Sequence, residues 1–563
     1  MLPDLTHALL AAAAAGVLPG WFWAGCLWPA SGLAERVACS MALSMVLVPA
    51  VALLSAYLLG TGVTLTVAVV SVAAVFLGGL ATYLAAGRAK ALKEPLHPGP
   101  TRLTAPALLL LVPAFGLALA AYFGIVSGKQ AMLPIAVLLV FAGTVQVFGR
   151  DGGSEDPPPE RDGGRFARAA RRLALPAVLG LVLFRGYSGP VMHDWPYLRG
   201  GDQFFHAMLA NMMLTRGEIE PYAVYPPGLH TLDAVISRLS GLEPVDLFPV
   251  YAPALILLPP LALYALARRL WGWEYGVAAA ALSGLVCNSS FIYLSYQAMY
   301  PTLVSAEFLL VMAVGALATL YARPSLRAAI LLALLGSSVV LYHPVGSLYT
   351  AALFGLVSVL LLPYLLLRER KTGFALLGSF VLLGVLAVAY AWNTYDLPET
   401  VAGILGGSGG SAGGEAVSMA VGTQAPLALE HLPQTISHPV LWLGLFGALL
   451  LAFGRRGGSL PSALSRVTLL LWCLVMFVGS RTAESGFPER FERDLGIPLA
   501  LLAAFALGAI VHSIRRDGLW TRILAVGVAA LVAVLIGVQA AWNLQGSARP
   551  SPRVVLTPEI TAA

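Results

Sequence analysis

The sequence predicts an all-α polytopic membrane protein. It reads as a bundle of about sixteen transmembrane helices, with one long loop, 190–245, that carries an amphipathic helix on the outer face. Three observations predict this. Hydrophobic residues fill 58% of the 563 positions and charged residues only 11%, against roughly half and a quarter in a soluble domain; the mean hydropathy is +0.81. Apolar runs of about 20 residues, the length that crosses a bilayer, recur from end to end. Basic residues return at regular places between pairs of those runs.

Taken in order, five spans come first, at roughly 7–28, 36–60, 62–87, 105–127 and 130–148. Then DGGSEDPPPERDGG at 151–164, mixed in charge and rich in Pro and Gly, reads as a flexible connection. Eleven spans follow, at roughly 173–189, 247–268, 274–296, 302–322, 326–343, 347–367, 373–392, 438–454, 466–480, 496–514 and 522–542. Pro259-Pro260 and Pro363 fall inside spans and should kink them. The chain therefore divides into a five-helix membrane unit (1–150), a cytoplasmic linker (151–172), a membrane core (173–545) and an extracytoplasmic tail (546–563). The stretch GILGGSGGSAGG at 403–414 is a second flexible segment, a lid or a plain loop.

The basic clusters set the orientation. They are Arg88 to Lys93, Arg161 to Arg172, Arg268-Arg269, Arg323 with Arg327, Arg368 to Lys371, Arg455-Arg456 and Arg515-Arg516. Two spans separate each from the next, so all fall on one side, which the positive-inside rule makes cytoplasmic. Both termini and the loops 190–245, 393–437 and 481–495 then lie outside a bacterial plasma membrane crossed many times. Six of the nine histidines, His193, His206, His230, His343, His431 and His438, fall at outer segments. The net charge of +6 is spread over short loops and is no nucleic-acid footprint. Cys26, Cys39, Cys287 and Cys473 sit in apolar runs as small core residues, with no disulfide framework. MLPDLTH has no basic n-region, so no cleaved signal peptide is expected.

The polar stretch Gly201 to His230 is where chemistry concentrates. From Asp202 to Thr215 the pattern is helical. Phe204, Phe205, Met208, Leu209 and Met212 share one face, expected in lipid or on the spans. Asp202, Gln203, His206 and Asn211 share the other, expected to be wet. Gly217 should end the helix. YPPG at 225–228 should turn the chain before LHTLDAVISRLSGL resumes helical periodicity. Asp202 can also serve as a helix N-cap. Asp202 and His206 are four apart and adjacent on the helix, but the pair lacks the third ligand of a metal site.

That order of features resembles the GT-C superfamily of membrane glycosyltransferases. The residues that carry it are D-x-F-F-H at Asp202 to His206, then Gly217, then YPPG at Tyr225 to Gly228, with many spans after them. They look like the first outer loop of oligosaccharyltransferase catalytic subunits, and closer still to bacterial, largely actinobacterial, GT-C-type proteins. The likeness covers about residues 170–545. The WWDYG-type sequence of oligosaccharyltransferases is missing, with the soluble domain that would carry it, so protein N-glycosylation is not expected. The five N-terminal spans lie outside the usual GT-C core.

The resemblance implies a GT-C-like helix bundle. It also implies sugar transfer from a polyprenyl-phosphate donor to an envelope glycan or lipid acceptor at the outer face. A carboxylate must take the acceptor hydroxyl's proton. Asp202 is the first choice and Asp194, in HDWPY, the second. The leaving phosphate calls for arginine. Outer-face candidates are Arg185, Arg199, Arg216, Arg481, Arg490 and Arg493. Arg490 and Arg493, in FPERFERDLGIP, stand above a late span, where GT-C enzymes meet the lipid phosphate. A solvated cluster of Glu489, Arg490, Glu492, Arg493 and Asp494 is the competing view. His343 in LYHPVGS is a further phosphate contact or an interfacial histidine. Gln203, His206, Tyr225 and His230 are expected at the substrate. No cofactor is required, and a divalent metal stays open. A transporter or flippase of lipid-linked glycans is the alternative, with Glu307 the only carboxylate well inside a span; a glycan polymerase or ligase is another.

Overall fold

The computed structural model describes residues 2–30, 32–90, 95–96, 102–148, 165–194, 201–218, 226–288, 298–394, 426, 428–453, 459–514 and 518–549. The linker at 151–164, the stretch 403–414, most of the tail (550–563), Arg199 and Tyr225 lie outside the described residues. Within them every regular element is a helix.

Among the described residues thirteen helices are long and apolar enough to cross a membrane. A fourteenth is gained if Leu429–Ile436 and His438–Phe453, bent by 108°, count as one span. Two shorter segments continue the up-and-down course: Leu326–Tyr342, and Trp273–Ala281 running into the π-helix Leu282–Val286. Other helices enclose both, so the length rule for a lipid-exposed helix does not bind them. With these two and the bent pair, the thirteen reach the sixteen passes that the apolar runs predict.

The prolines fall inside spans as expected, Pro259 and Pro260 in Pro244–Trp271 and Pro363 in Pro344–Arg368. The regular α-helix is interrupted just before each, by the 3-10 turn Ala252–Leu257 and at Leu361, and the prolines stand in the first turn of the helix that follows, where the missing N–H has no helical partner anyway.

Three of the basic clusters, Arg88 to Lys93, Arg268-Arg269 and Arg323 with Arg327, meet at one end of the bundle. Arg323 Nη1 donates to Lys90 O at 2.9 Å, Arg327 Nη1 to Gly87 O at 3.4 Å, and Leu96 N to Arg269 O at 3.0 Å. Buried Glu35 lies 3.7 Å from Arg269, whose guanidinium stacks on Trp28 at 4.0 Å and donates to Thr319 at 2.7 Å. These contacts tie the first helices to later ones, and one buried apolar cluster runs from Ala8 to Leu535. Leu326–Tyr342 starts at the basic end, so its last residue, and His343 after it, reach the opposite end. Pro488–Asp494 precedes a helix, Gly496–Ser513, that runs the other way. Helices Gly201–Thr215 and Gly228–Ser240 therefore sit with His343 and Arg490 at the end away from these basic clusters.

Candidate active site

The helix Gly201–Thr215 forms as the pattern predicts, but part of its polar side turns inward, while Leu209 of the apolar side is buried as well. Gln203 and His206 are 3% and 0% exposed, whereas Phe204 and Met208 are 44% and 37% exposed. The buried stripe runs Gln203, His206, Ala207, Ala210, Met213, Leu214, itself a helical series. The expectation of a wet polar face is corrected for Gln203 and His206. In a membrane-embedded bundle the polar side turns toward protein partners, because lipid offers none. Asn211 remains exposed and Asp202 half-buried. Asp202 lies in the first turn, after Gly201, where the helix dipole favours a carboxylate.

Five segments converge on this stripe. Helix Gly228–Ser240 brings His230, whose Nε2 is 3.0 Å from His206 Nδ1. Segment 298–300 brings Tyr300, whose hydroxyl accepts from Gln203 Nε2 at 2.5 Å. Phe248, from Pro244–Tyr251, stacks beside both His206 and Tyr300, with ring centroids 6.5 and 6.3 Å away. His343 caps helix Pro344–Leu360, its Nδ1 accepting from Val345 N at 3.2 Å. On its other side Arg490 Nη1 stands 3.4 Å from His343 Nε2. Arg490 belongs to the short helix Pro488–Asp494, which also carries Arg493.

Three of the five charges of that short helix are buried and Glu489 and Arg490 are half-buried, which corrects the view of a solvated cluster, although Arg493 and Asp494 do pair with each other. Glu492, Arg493 and Asp494 are 0–2% exposed. Each acid holds its own partners. Glu492 pairs with Arg481 and accepts from Thr435 at 2.9 Å. Asp494 binds Arg493 through both oxygens, at 2.5 and 2.9 Å, and accepts from Tyr349 at 3.0 Å. Arg493 Nη1 also reaches Met299 Sδ at 3.3 Å, and Glu307, on the π-helix Leu303–Leu309, is among its electrostatic neighbours. Arg490, half-buried and over the Phe487 ring at 5.3 Å, is the more accessible of the two cations.

The electrostatics favour neutral imidazoles. Burial drives His206 down to about 4, and burial with the neighbouring His206 holds His230 well below the usual histidine range. Burial, then Arg490, Arg493 and His206, do the same to His343. The three neutral rings add no positive charge of their own, so the positive charge here belongs to the guanidiniums, of which Arg493 is paired with Asp494. On the back of helix Gly228–Ser240, burial raises Asp233 to about 8, opposed only in part by the hydroxyl that Tyr251 donates to it.

The structure thus brings Gln203, His206, His230, His343, Arg490 and Arg493 into one neighbourhood, with Asp202 beside Gln203. Asp194 ends the π-helix Pro190–Asp194, and its side chain lies outside the described residues, as do Arg199 and Tyr225. Arg185 is elsewhere, buried and donating to Gly284 O at 2.7 Å, and Arg481 is engaged with Glu492. Sequence reasoning did not find Tyr300, Asp494, Tyr349 and Met299. Each is an ordinary residue of an apolar run, or in Asp494's case one of several charges, until tertiary contact with a partner far along the chain sets it apart.

No protein-family model matches the chain, and no curated protein matches it. Among solved structures it is similar to the oligosaccharyltransferase of Archaeoglobus fulgidus. The apo form is 15% identical with a TM-score of 0.47, over 71% of this chain and 60% of that one. The complex with Zn and sulfate is 17% identical with a TM-score of 0.46, over 68% and 54%. The form tethered to an acceptor peptide with the NVT sequon is 15% identical with a TM-score of 0.46, over 71% and 59%. The chain spans between 54% and 60% of the length of these structures.

Proposed function

We propose that this protein is a GT-C-like membrane glycosyltransferase. It moves a sugar from a polyprenyl-phosphate donor to an envelope glycan or lipid acceptor on the extracytoplasmic face. The observation that supports this most is the meeting of Arg490, Arg493 and His343 with the start of helix Gly201–Thr215, at the end of the bundle away from the basic loops. A lipid phosphate at the membrane edge needs a fixed cation, and Arg490 stands there half-buried against neutral His343. Arg493, bound through two bonds to Asp494, is a fixed charge behind it.

In this scheme the acceptor hydroxyl attacks the anomeric carbon, its proton passes to Asp202, and polyprenyl phosphate departs toward Arg490. Asp202 stands in the first helical turn, where the helix dipole favours the carboxylate form that a base requires. Gln203, His206 and His230 shape the wall beside it, and Tyr225 and Arg199 are kept as substrate and phosphate contacts on the sequence pattern alone. Asp194 is the alternative base.

Two measurements test this. Arg490→Ala should weaken binding of decaprenyl phosphate by about tenfold or more, the loss of a charge-assisted contact. Asp202→Asn should lower sugar transfer by at least about a hundredfold with the donor still bound. Undiminished donor binding in the first, or full transfer in the second, removes the assigned role.

A further inference from the structure

The helices before residue 90 pack on helix Gly228–Ser240, and one short loop among them bonds both site helices. Val63 lies between helices Leu33–Leu59 and Leu65–Ala86. Its N–H donates to Met213 O at 2.9 Å, and its carbonyl accepts from Arg238 Nε at 3.0 Å. Met213 belongs to the last turn of helix Gly201–Thr215 and Arg238 to the last turn of helix Gly228–Ser240. One residue therefore joins the C-terminal ends of both site helices.

The approach is too close for side chains. A Cβ on Gly62 would lie 2.2 Å from Leu214 O, and a Cβ on Gly217 would lie 2.5 Å from Thr61 O. Gly217 also needs its φ of +77° to end the helix. Nearby, Tyr342 donates its hydroxyl to Met45 O at 2.6 Å, fixing the residue before His343 to helix Leu33–Leu59.

We propose that the N-terminal helices work as a positioning unit for the site, with Gly62, Val63, Gly217 and Arg238 as a staple that sets the tilt of helix Gly201–Thr215. The proposal rests on the functional reading above. Met213 lies eleven residues from Asp202, about 17 Å along the helix at 1.5 Å per residue. Asp202, Gln203 and His206 are then the far arm of a lever held at its other end. The His206–His230 contact ties that far arm to the same partner helix. A small rotation at the staple moves the carboxylate relative to Arg490, which belongs to a different part of the bundle.

The test uses the full chain in nanodiscs, with its four cysteines replaced by alanine and spin labels at Met208→Cys and Leu348→Cys. These sites are 37% and 39% exposed, on the site helix and on the helix that His343 caps. The unmodified staple should give one narrow distance distribution. Gly62→Ala should displace or broaden it, and Arg238→Gln should broaden it while the melting temperature holds. Decaprenyl phosphate binding should weaken with the broadening. An unchanged distribution in a folded Arg238→Gln chain overturns the proposal, as does broadening that only follows loss of thermal stability. Arg490→Ala separates the two levels. If it leaves decaprenyl phosphate binding intact, the phosphate site is wrong, while the label distances still judge the staple.

Discussion

At the scale of single residues, buried titratable groups outside the spans set how the fold responds to pH. His206, His230 and His343 are neutral in the fold and basic in the unfolded chain. Below about pH 6.5 the unfolded chain takes up protons that the fold refuses, so stability falls with falling pH. Asp233 acts in the opposite sense. It keeps its proton up to about 8 in the fold, whereas the unfolded carboxyl loses it near 4. Over that window stability falls as pH rises, by about 1.4 kcal/mol per unit at most. Three histidines outweigh one aspartate in acid, and the aspartate acts alone above about 6.5. Thermal melts should therefore peak near that pH. Asp233→Asn, close in shape to the protonated acid, should flatten the alkaline side; an unchanged slope there would show that Asp233 does not hold its proton. Asp233 Oδ2 makes no hydrogen bond among the described residues, so the amide has room to fit without breaking one.

At the scale of elements, the sharpest feature is the 108° bend between Leu429–Ile436 and His438–Phe453. It turns on Ser437, whose φ is +108° although it is not glycine. Such a backbone costs on the order of 1–3 kcal/mol. Its hydroxyl is buried without a hydrogen-bond partner, a second penalty. Ser437→Gly should therefore raise the melting temperature, since it relieves both. A lower melting temperature would mean that the hydroxyl has a stabilising contact. The bend matters for the site because Thr435, two residues before it, holds Glu492 next to Arg493. Asn288 donates to Gln434 O at 2.8 Å and to Ile436 O at 3.1 Å, tying the same turn to the end of the π-helix Leu282–Val286.

At the scale of the whole molecule, sidedness is the open physical question that one labelling experiment answers. Leu429, 51% exposed, lies at the site end, and Ser325, exposed, at the basic end beside Arg323 and Arg327. Leu429→Cys should react with an impermeant thiol reagent in intact cells, and Ser325→Cys only after permeabilisation. The reverse pattern would turn the bundle over and place the candidate site in the cytosol. The basis is the positive-inside rule, reinforced by the way three basic clusters, far apart in sequence, close on one another at one end.

The helical nature of the chain and the order of its apolar helices were legible in the sequence because both depend on local quantities. Twenty apolar residues bury their own backbone polar groups as a helix, and arginine clusters alternate without reference to any fold. The helix at 201–215 and its stop at Gly217 were legible for the same reason. Which face of that helix meets protein was not. Hydrophobic periodicity marks two faces, but inside a membrane bundle apolar side chains are equally at home against lipid, so only packing decides that Gln203 and His206 turn inward while Phe204 and Met208 turn out. The arginines at 490 and 493 stood out as residue types. That Arg493 pairs with its chain neighbour Asp494 is local, but that Arg490 stands against His343 is a matter of contact across 147 positions, which no local pattern records.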